Sequence, residues 1–232
     1  MKTVVVDFGI SNKSIDTLKN LGYRVIKTPE NPNVQDAICG HPDMVLCKLK
    51  NHDFVADTTF RGFLIKNYKN ANFIEGKSIL QEKYPFDIAY NCALVGNKLF
   101  CNEKYTDKAI LEYCRDNDIR ILNIKQGYAK CSICIVSDNA IITADKNILN
   151  TAFKNNIDVL LVENKGIILK GYNEGFIGGA TGLLEKDLLA VNGKIELHKD
   201  CDAIKAFCLK HGVNTISLSD EPIYDVGSII RL

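Results

Sequence analysis

The run KCSICIVSDNAIITADKNILNTAFKNNIDVLL, residues 130–161, contains one complete folding unit. An apolar stretch from Lys130 to Val136 meets the polar turn Ser137-Asp138-Asn139 and returns as Ala140 to Ala144, which predicts a β-hairpin. Ile148, Leu149, Ala152 and Phe153 then recur at helical spacing. A break at Asn156 precedes the β-rich run Ile157-Asp158-Val159-Leu160-Leu161, as expected where a left-handed residue ends a helix. The order is strand, strand, helix, strand.

The same order recurs on both sides. Tyr90 to Val95, the turn Gly96-Asn97 and Lys98 to Cys101 predict a hairpin. Ile110, Tyr113 and Cys114 mark its helix, and Asp118 to Leu122 its last strand. Thr181 to Leu184, Glu185-Lys186-Asp187 and Leu188 to Val191 repeat the hairpin, with Ile204, Phe207 and Cys208 on the helix and His211 to Ile216 after it. A weaker copy runs from Met44 to Leu49 through Phe54 to Ala56, then Phe60, Phe63 and Leu64, ending at Asn70 to Ile74. The fifth copy is split. Gly227 to Leu232 supplies its first strand; Thr3 to Asp7, the helix around Ser14 to Leu21 and the run to Ile26 supply the rest. Repeats of 40 to 50 residues indicate stacked or radial architectures, and an unpaired terminal strand would leave an open edge. The expectation is an α/β chain forming a closed five-unit β/α propeller of ββαβ repeats with pseudo-fivefold symmetry. Its terminal strands close the ring, and residues 1–232 form one domain. A doubly wound α/β sheet is the alternative topology.

Composition narrows the partners. The 232 residues carry 29 Lys and Arg against 28 Asp and Glu, a net charge of +1, without the positive field that nucleic acid or an anionic membrane requires. Apolar residues are 46% and charged residues 25%, as in ordinary soluble domains. Apolar runs such as Val4-Val5-Val6 are far too short to span a bilayer, and Asp7 interrupts any signal-like segment. A cytoplasmic location is expected. The nine cysteines, an odd number without an export signal, read as reduced and largely buried thiols.

A ring of such units resembles the pentein fold of the guanidino-group-modifying enzymes. The runs Gly127-Tyr128-Ala129-Lys130-Cys131, Gly175-Phe176-Ile177-Gly178-Gly179-Ala180 and Asp225-Val226-Gly227-Ser228-Ile229-Ile230 also resemble an uncharacterised bacterial family of that fold. The resemblance implies a thiolate nucleophile on the last unit's first strand, a histidine base from a middle unit, and acidic residues that hold a guanidinium. The nucleophile would fall among Ile229 to Leu232, the histidine near Tyr128 or Ala129, and a carboxylate near Asn91; none of these positions carries the required group.

In a ring the first strands line the axis, so their polar residues are the site candidates: Asp43, Lys48, Asn91, Lys130, Cys131, Thr181, Asp225 and Ser228. The primary expectation is a protein that lacks the family's Cys/His pair and binds a small polar or cationic, guanidino- or amino-acid-like molecule. One alternative is an active hydrolase or amidinotransferase-like enzyme using Cys131 or Cys92; another is a ring that docks on a protein assembly. Lys130 and Cys131 are expected on opposite faces of a strand, and Cys131-Ser132-Ile133-Cys134 is therefore no zinc or redox pair. The glycine-rich run 175–182 reads as close backbone packing. Asp200-Cys201-Asp202 reads as a helix N-cap region, while Asp220-Glu221-Pro222 is placed to lend negative charge at the axis. His41-Pro42-Asp43 reads as a turn, with His52, His198 and His211 solvated and badly placed to join it. No metal and no cofactor are expected.

Overall fold

The computed structural model describes residues 1–232. The chain begins β1 (Thr3–Val6), α1 (Asn12–Asn20), β2 (Arg24–Lys27), then α2 (Pro42–Val45), β3 (Leu46–Lys48), β4 (Asp53–Ala56), α3 (Thr58–Asn67) and β5 (Asn72–Glu75). It continues through β6 (Ala93–Val95), β7 (Lys98–Cys101), α4 (Lys108–Asp116), β8 (Arg120–Asn123), α5 (Ala129–Ser132), β9 (Ile133–Ser137), β10 (Ala140–Thr143), α6 (Lys146–Lys154) and β11 (Asp158–Leu161). After β12 (Ile167–Ile168) come β13 (Thr181–Glu185), β14 (Leu188–Val191), α7 (Cys201–Lys210), β15 (Asn214–Ser217), β16 (Ile223–Tyr224) and β17 (Ile230–Arg231).

Five three-stranded sheets share one plan: an antiparallel pair, then a parallel third strand reached through a helix. Their orders are β3-β4-β5, β6-β7-β8, β9-β10-β11, β13-β14-β15 and β17-β1-β2. In the last, the chain termini pair antiparallel, Val4 opposite Arg231 and Val5 opposite Ile230. A sixth, two-stranded sheet joins β12 to β16. The first strands are neighbours in series, β3 beside β6, β6 beside β9, β9 beside β13, and β13 beside β17.

Local chemistry explains the repetition. Asp57, Asp107 and Asp145 cap α3, α4 and α6 by accepting backbone N–H groups of their first turns, and Ser11 does the same for α1. Left-handed residues follow four of the five crossover helices: Gly22, Asp118, Asn156 and Gly212. The exception follows α3, where Tyr68 is already extended. Asp200 is the N-cap residue of α7, as expected, but its carboxylate accepts from Glu163 N instead of from the helix's first-turn amides.

Four of the five first strands begin later than the apolar pattern predicts, while β13 starts at Thr181 as expected. Met44 and Val45 belong to α2, whose N1 position is Pro42. Lys130 to Ser132 belong to α5, because the Lys130 and Cys131 amides turn toward Asn91 Oδ1 at 2.7 and 3.3 Å. The terminal strand shrinks to Ile230–Arg231. Gly227 and Ser228 take φ of 62° and 73°, and their stretch bonds to the start of β13 and the residues before it through Ser228 N–Gly179 O and Ile229 N–Thr181 O. Asp43, Asn91, Lys130, Cys131, Asp225 and Ser228 therefore sit just ahead of the first strands, whereas Lys48 ends β3 and Thr181 opens β13.

Glu185, at the end of β13, clamps both termini: it binds Lys2 Nζ at 2.7 Å, Arg231 Nη1 at 2.6 Å and Tyr23 Oη at 2.7 Å. Burial opposes its charge, but the hydrogen bonds from Lys2, Tyr23 and Arg231 prevail and hold its pKa at about 2. A carboxylate depressed in this way stabilises the fold above its unfolded value near 4.5, and that contribution disappears as pH falls toward 2. Glu185→Gln should cost roughly 1–3 kcal/mol at neutral pH, and the difference from wild type in thermal melts should vanish toward pH 2.

No helix is long and apolar enough to cross a membrane, and all nine cysteines are free thiols.

Candidate functional site

Asp43 is the hub of a buried polar cluster. It lies in α2 with no exposed surface, its amide donating to Gly227 O at 3.1 Å. Its Oδ2 accepts from Ser228 Oγ at 2.7 Å and from Cys131 Sγ at 3.2 Å. Lys130 Nζ in turn donates to Ser228 Oγ at 2.8 Å. Asn91 ties the elements together: its Nδ2 donates to Asp43 O and Cys131 Sγ, while its Oδ1 caps α5. Lys130 and Cys131 therefore reach the same cluster from one short helix, which corrects the expectation that strand geometry separates them.

Asp225, fully enclosed, accepts from Phe176 N at 2.8 Å and Gly227 N at 3.0 Å. Gly179 is required beside it, because a Cβ there would overlap the carboxylate. At Gly227, with its positive φ, a Cβ would strike His41. Close packing is thus what the glycine-rich segment provides.

His41 is the residue that sequence reasoning missed. Its ring is buried, with Nδ1 4.0 Å from Asp225 Oδ1 and Nε2 3.9 Å from Asp7 Oδ2. Donor atoms of His41, Asp43 and Cys131 all lie within 4.8 Å of one another. His41 Nδ1 and Asp43 Oδ1 are buried without any hydrogen-bond partner, which is costly unless something pairs with them. A usable signal was position: His41-Pro42-Asp43 precedes β3 as Asn91 precedes β6 and Lys130-Cys131 precede β9. The other histidines play no part here. His198 is buried rather than solvated, His52 is exposed, and His211 bonds Asp158 at 2.9 Å.

Thr181 stands outside the cluster, its hydroxyl donating to Ile177 O at 2.9 Å. Cys92 is also elsewhere, packed against Thr106. Lys48 reaches the carbonyl of Arg231 instead.

A cavity of about 30 Å³ touches His41, Cys131 and Asp225, walled by Tyr128, Tyr172 and Phe176. Tyr172 Oη donates to Gln35 Oε1. His41, Leu169 and Asp225 also border a larger cleft of about 780 Å³, whose lining carries Asp7, Asp36, Glu221 and Asp225 against the single cation Lys170. Burial raises the Asp225 and Asp7 pKa values, Asp225 being further raised by Asp43. Burial, then Asp43 and Asp225, push the Cys131 thiol well above its usual value. The His41, Asp43 and Cys131 donors are also of a type that holds a divalent ion, although a thiol so resistant to ionisation opposes that use.

Residues 5–230 match the model of a family of unknown function, DUF6873. The chain belongs to DUF6873. No curated protein matches this DUF6873 chain by sequence. Among solved structures, it is similar to SxtG, an amidinotransferase of the saxitoxin biosynthetic pathway from Microseira wollei. Identity is 12%, coverage 94% of this chain and 88% of that one, and the TM-score 0.57. It is equally similar to DDAH from Pseudomonas aeruginosa in complex with citrulline, at 6% identity, 94% and 92% coverage and a TM-score of 0.57. A dimethylarginine dimethylaminohydrolase adduct with 4-chloro-2-hydroxymethylpyridine matches at 6% identity, 94% and 92% coverage and a TM-score of 0.55. This DUF6873 chain has the pentein fold.

Proposed function

We propose that this protein is a pentein enzyme that hydrolyses a small guanidino or amidino compound, with its catalytic groups displaced by two units around a closed five-unit ring. The single-domain ring is supported by the terminal strand pair and by links between the first and last units, Lys48 Nζ to Arg231 O at 2.7 Å and Asp43 N to Gly227 O. Number the units from β3. The pentein pattern, as the resemblance implies it, puts a carboxylate in unit two, histidine in unit three and thiol in unit five. Here Asp225 precedes unit five, His41 unit one and Cys131 unit three, which is the same spacing around the ring.

That convergence carries the reading. A guanidinium entering from the acidic cleft would meet Asp225 and the unpartnered Asp43 Oδ1 and offset their charge. Burial, then those two carboxylates, raise the Cys131 pKa, and a bound cation would offset the carboxylates' part of that rise. Cys131 Sγ attacks the central carbon and its proton passes to His41. The C–N bond breaks as His41 protonates the leaving amine. Water, deprotonated by His41, then attacks the same carbon; the C–S bond breaks and the thiol regains its proton. Net, water and a guanidinium cation give a neutral ureido product and a protonated amine, which carries away the positive charge.

The test is incubation with arginine, agmatine and methylarginines, reading ureido product and, by mass spectrometry after rapid acid quench, a covalent adduct. Product from one of them, with the adduct on Cys131, is expected. Calorimetric binding of these cations without product or adduct would instead establish a binding protein that has lost turnover.

A further inference from the structure

A second cavity, of about 660 Å³, runs along the first strands, lined by the turns of three hairpins, by β13 and β17, and by Lys130, which also reaches the Asp43 cluster. Its lining brings together Lys48, Lys50, Lys130 and Arg231 against one carboxylate, Asp138. The lysines lack ion pairs. Lys48 Nζ donates to a backbone carbonyl, Lys50 Nζ to the Asn97 side-chain amide, and Lys130 Nζ to Ser228 Oγ. Arg231 pairs with Glu185 through Nη1, leaving its buried Nε without a partner. Between the cations the wall is apolar, with Leu94, Ile135 and Leu183.

We propose that this cavity binds a small amphipathic anion, a carboxylate or phosphate head on a short apolar body. Four converging cations with few counter-charges favour an anionic head, and the guanidinium edge and ammonium groups supply charge-assisted donors. The apolar wall favours a hydrocarbon body over a bare inorganic ion, and the volume falls in the range of small-molecule sites. Lys48 is exposed to the cavity yet deeply set among protein atoms; burial, then Arg231 and Lys130, push its pKa down to about 8. An anion would relieve that crowding. Lys130 is shared with the Asp43 cluster through Ser228 Oγ, but Lys48 and Lys50 do not touch that cluster, so variants at these two positions test the anion site without altering Cys131.

The full chain is titrated by calorimetry with octanoate, hexyl phosphate, inorganic phosphate and octanol. One site per chain is expected for octanoate or hexyl phosphate, and the better of the two identifies the head group. Octanol and inorganic phosphate should each bind at least tenfold more weakly, and affinity should fall as salt is raised. Lys48→Met should weaken the anion about tenfold or more. Lys50→Gln, in the first hairpin's half-buried turn, should weaken it severalfold. Octanol binding as well as octanoate, no binding of either amphipathic anion, or affinity unchanged in a folded Lys50→Gln and Lys48→Met pair would overturn the proposal.

Discussion

Removal of residues 229–232 is expected to leave a chain that does not fold. Ile229, Ile230 and Leu232 are buried to within a few per cent, and burying three large aliphatic side chains is worth together about 5–9 kcal/mol at roughly 1.5–3 kcal/mol each. That is comparable with the whole stability of a typical domain, about 5–15 kcal/mol. The backbone loss adds to it. β1 would lose its antiparallel partner, including the Leu232 N to Thr3 O bond, and would present an apolar edge able to pair with other chains. The segment also anchors β13 through Ile229 N to Thr181 O, and Arg231 through Glu185. The truncated protein should therefore appear in size-exclusion chromatography as aggregate without a cooperative melt. A monomer melting within a few degrees of the full chain would show that terminal pairing contributes little.

The architecture was legible because the repeated unit writes three signals in sequence: alternation to a polar turn, helical spacing, and a break. Each is local, and residues 137–144 and 145–161 show all three within one copy. What blurred was the start of four of the five first strands, β13 alone beginning where the pattern placed it. Lys130 to Ser132 carry no break that would keep them out of β9, but a side chain 39 residues earlier, Asn91, captures the Lys130 and Cys131 amides and the segment winds into α5. No local pattern encodes that. The same non-local effect hid part of the site. Asp43, Asn91, Lys130, Cys131, Asp225 and Ser228 could be named because buried polar groups near an axis need partners. His41 could not be joined to them from spacing alone, because its neighbours Asp225 and Cys131 are 184 and 90 residues away along the chain. Thr181 was named by the same reasoning, although its hydroxyl is satisfied within its own turn.

Cys131→Ala should abolish adduct and turnover together, a loss on the order of 10⁴-fold or more, since removal of a nucleophile ends the covalent route. His41→Ala should lose roughly 10²–10⁴-fold, the usual contribution of a general base, and should leave the thiol in place. Asp225→Asn separates binding from reactivity with effects of opposite sign. Its carboxylate is one of the charges that raise the Cys131 pKa, so its neutralisation should let the thiol ionise more readily and speed alkylation by iodoacetamide at a fixed pH near 8. The same change removes half of the pair offered to a guanidinium and should weaken calorimetric binding of the substrate cation at least tenfold. A residue holding only structure would instead give faster alkylation of many cysteines together, with a lowered melting temperature. Selective acceleration at Cys131 with loss of cation binding is the combination that places Asp225 and Cys131 around one ligand. If Asp225→Asn leaves both alkylation and cation binding unchanged, the shared site at His41, Cys131 and Asp225 does not exist as described.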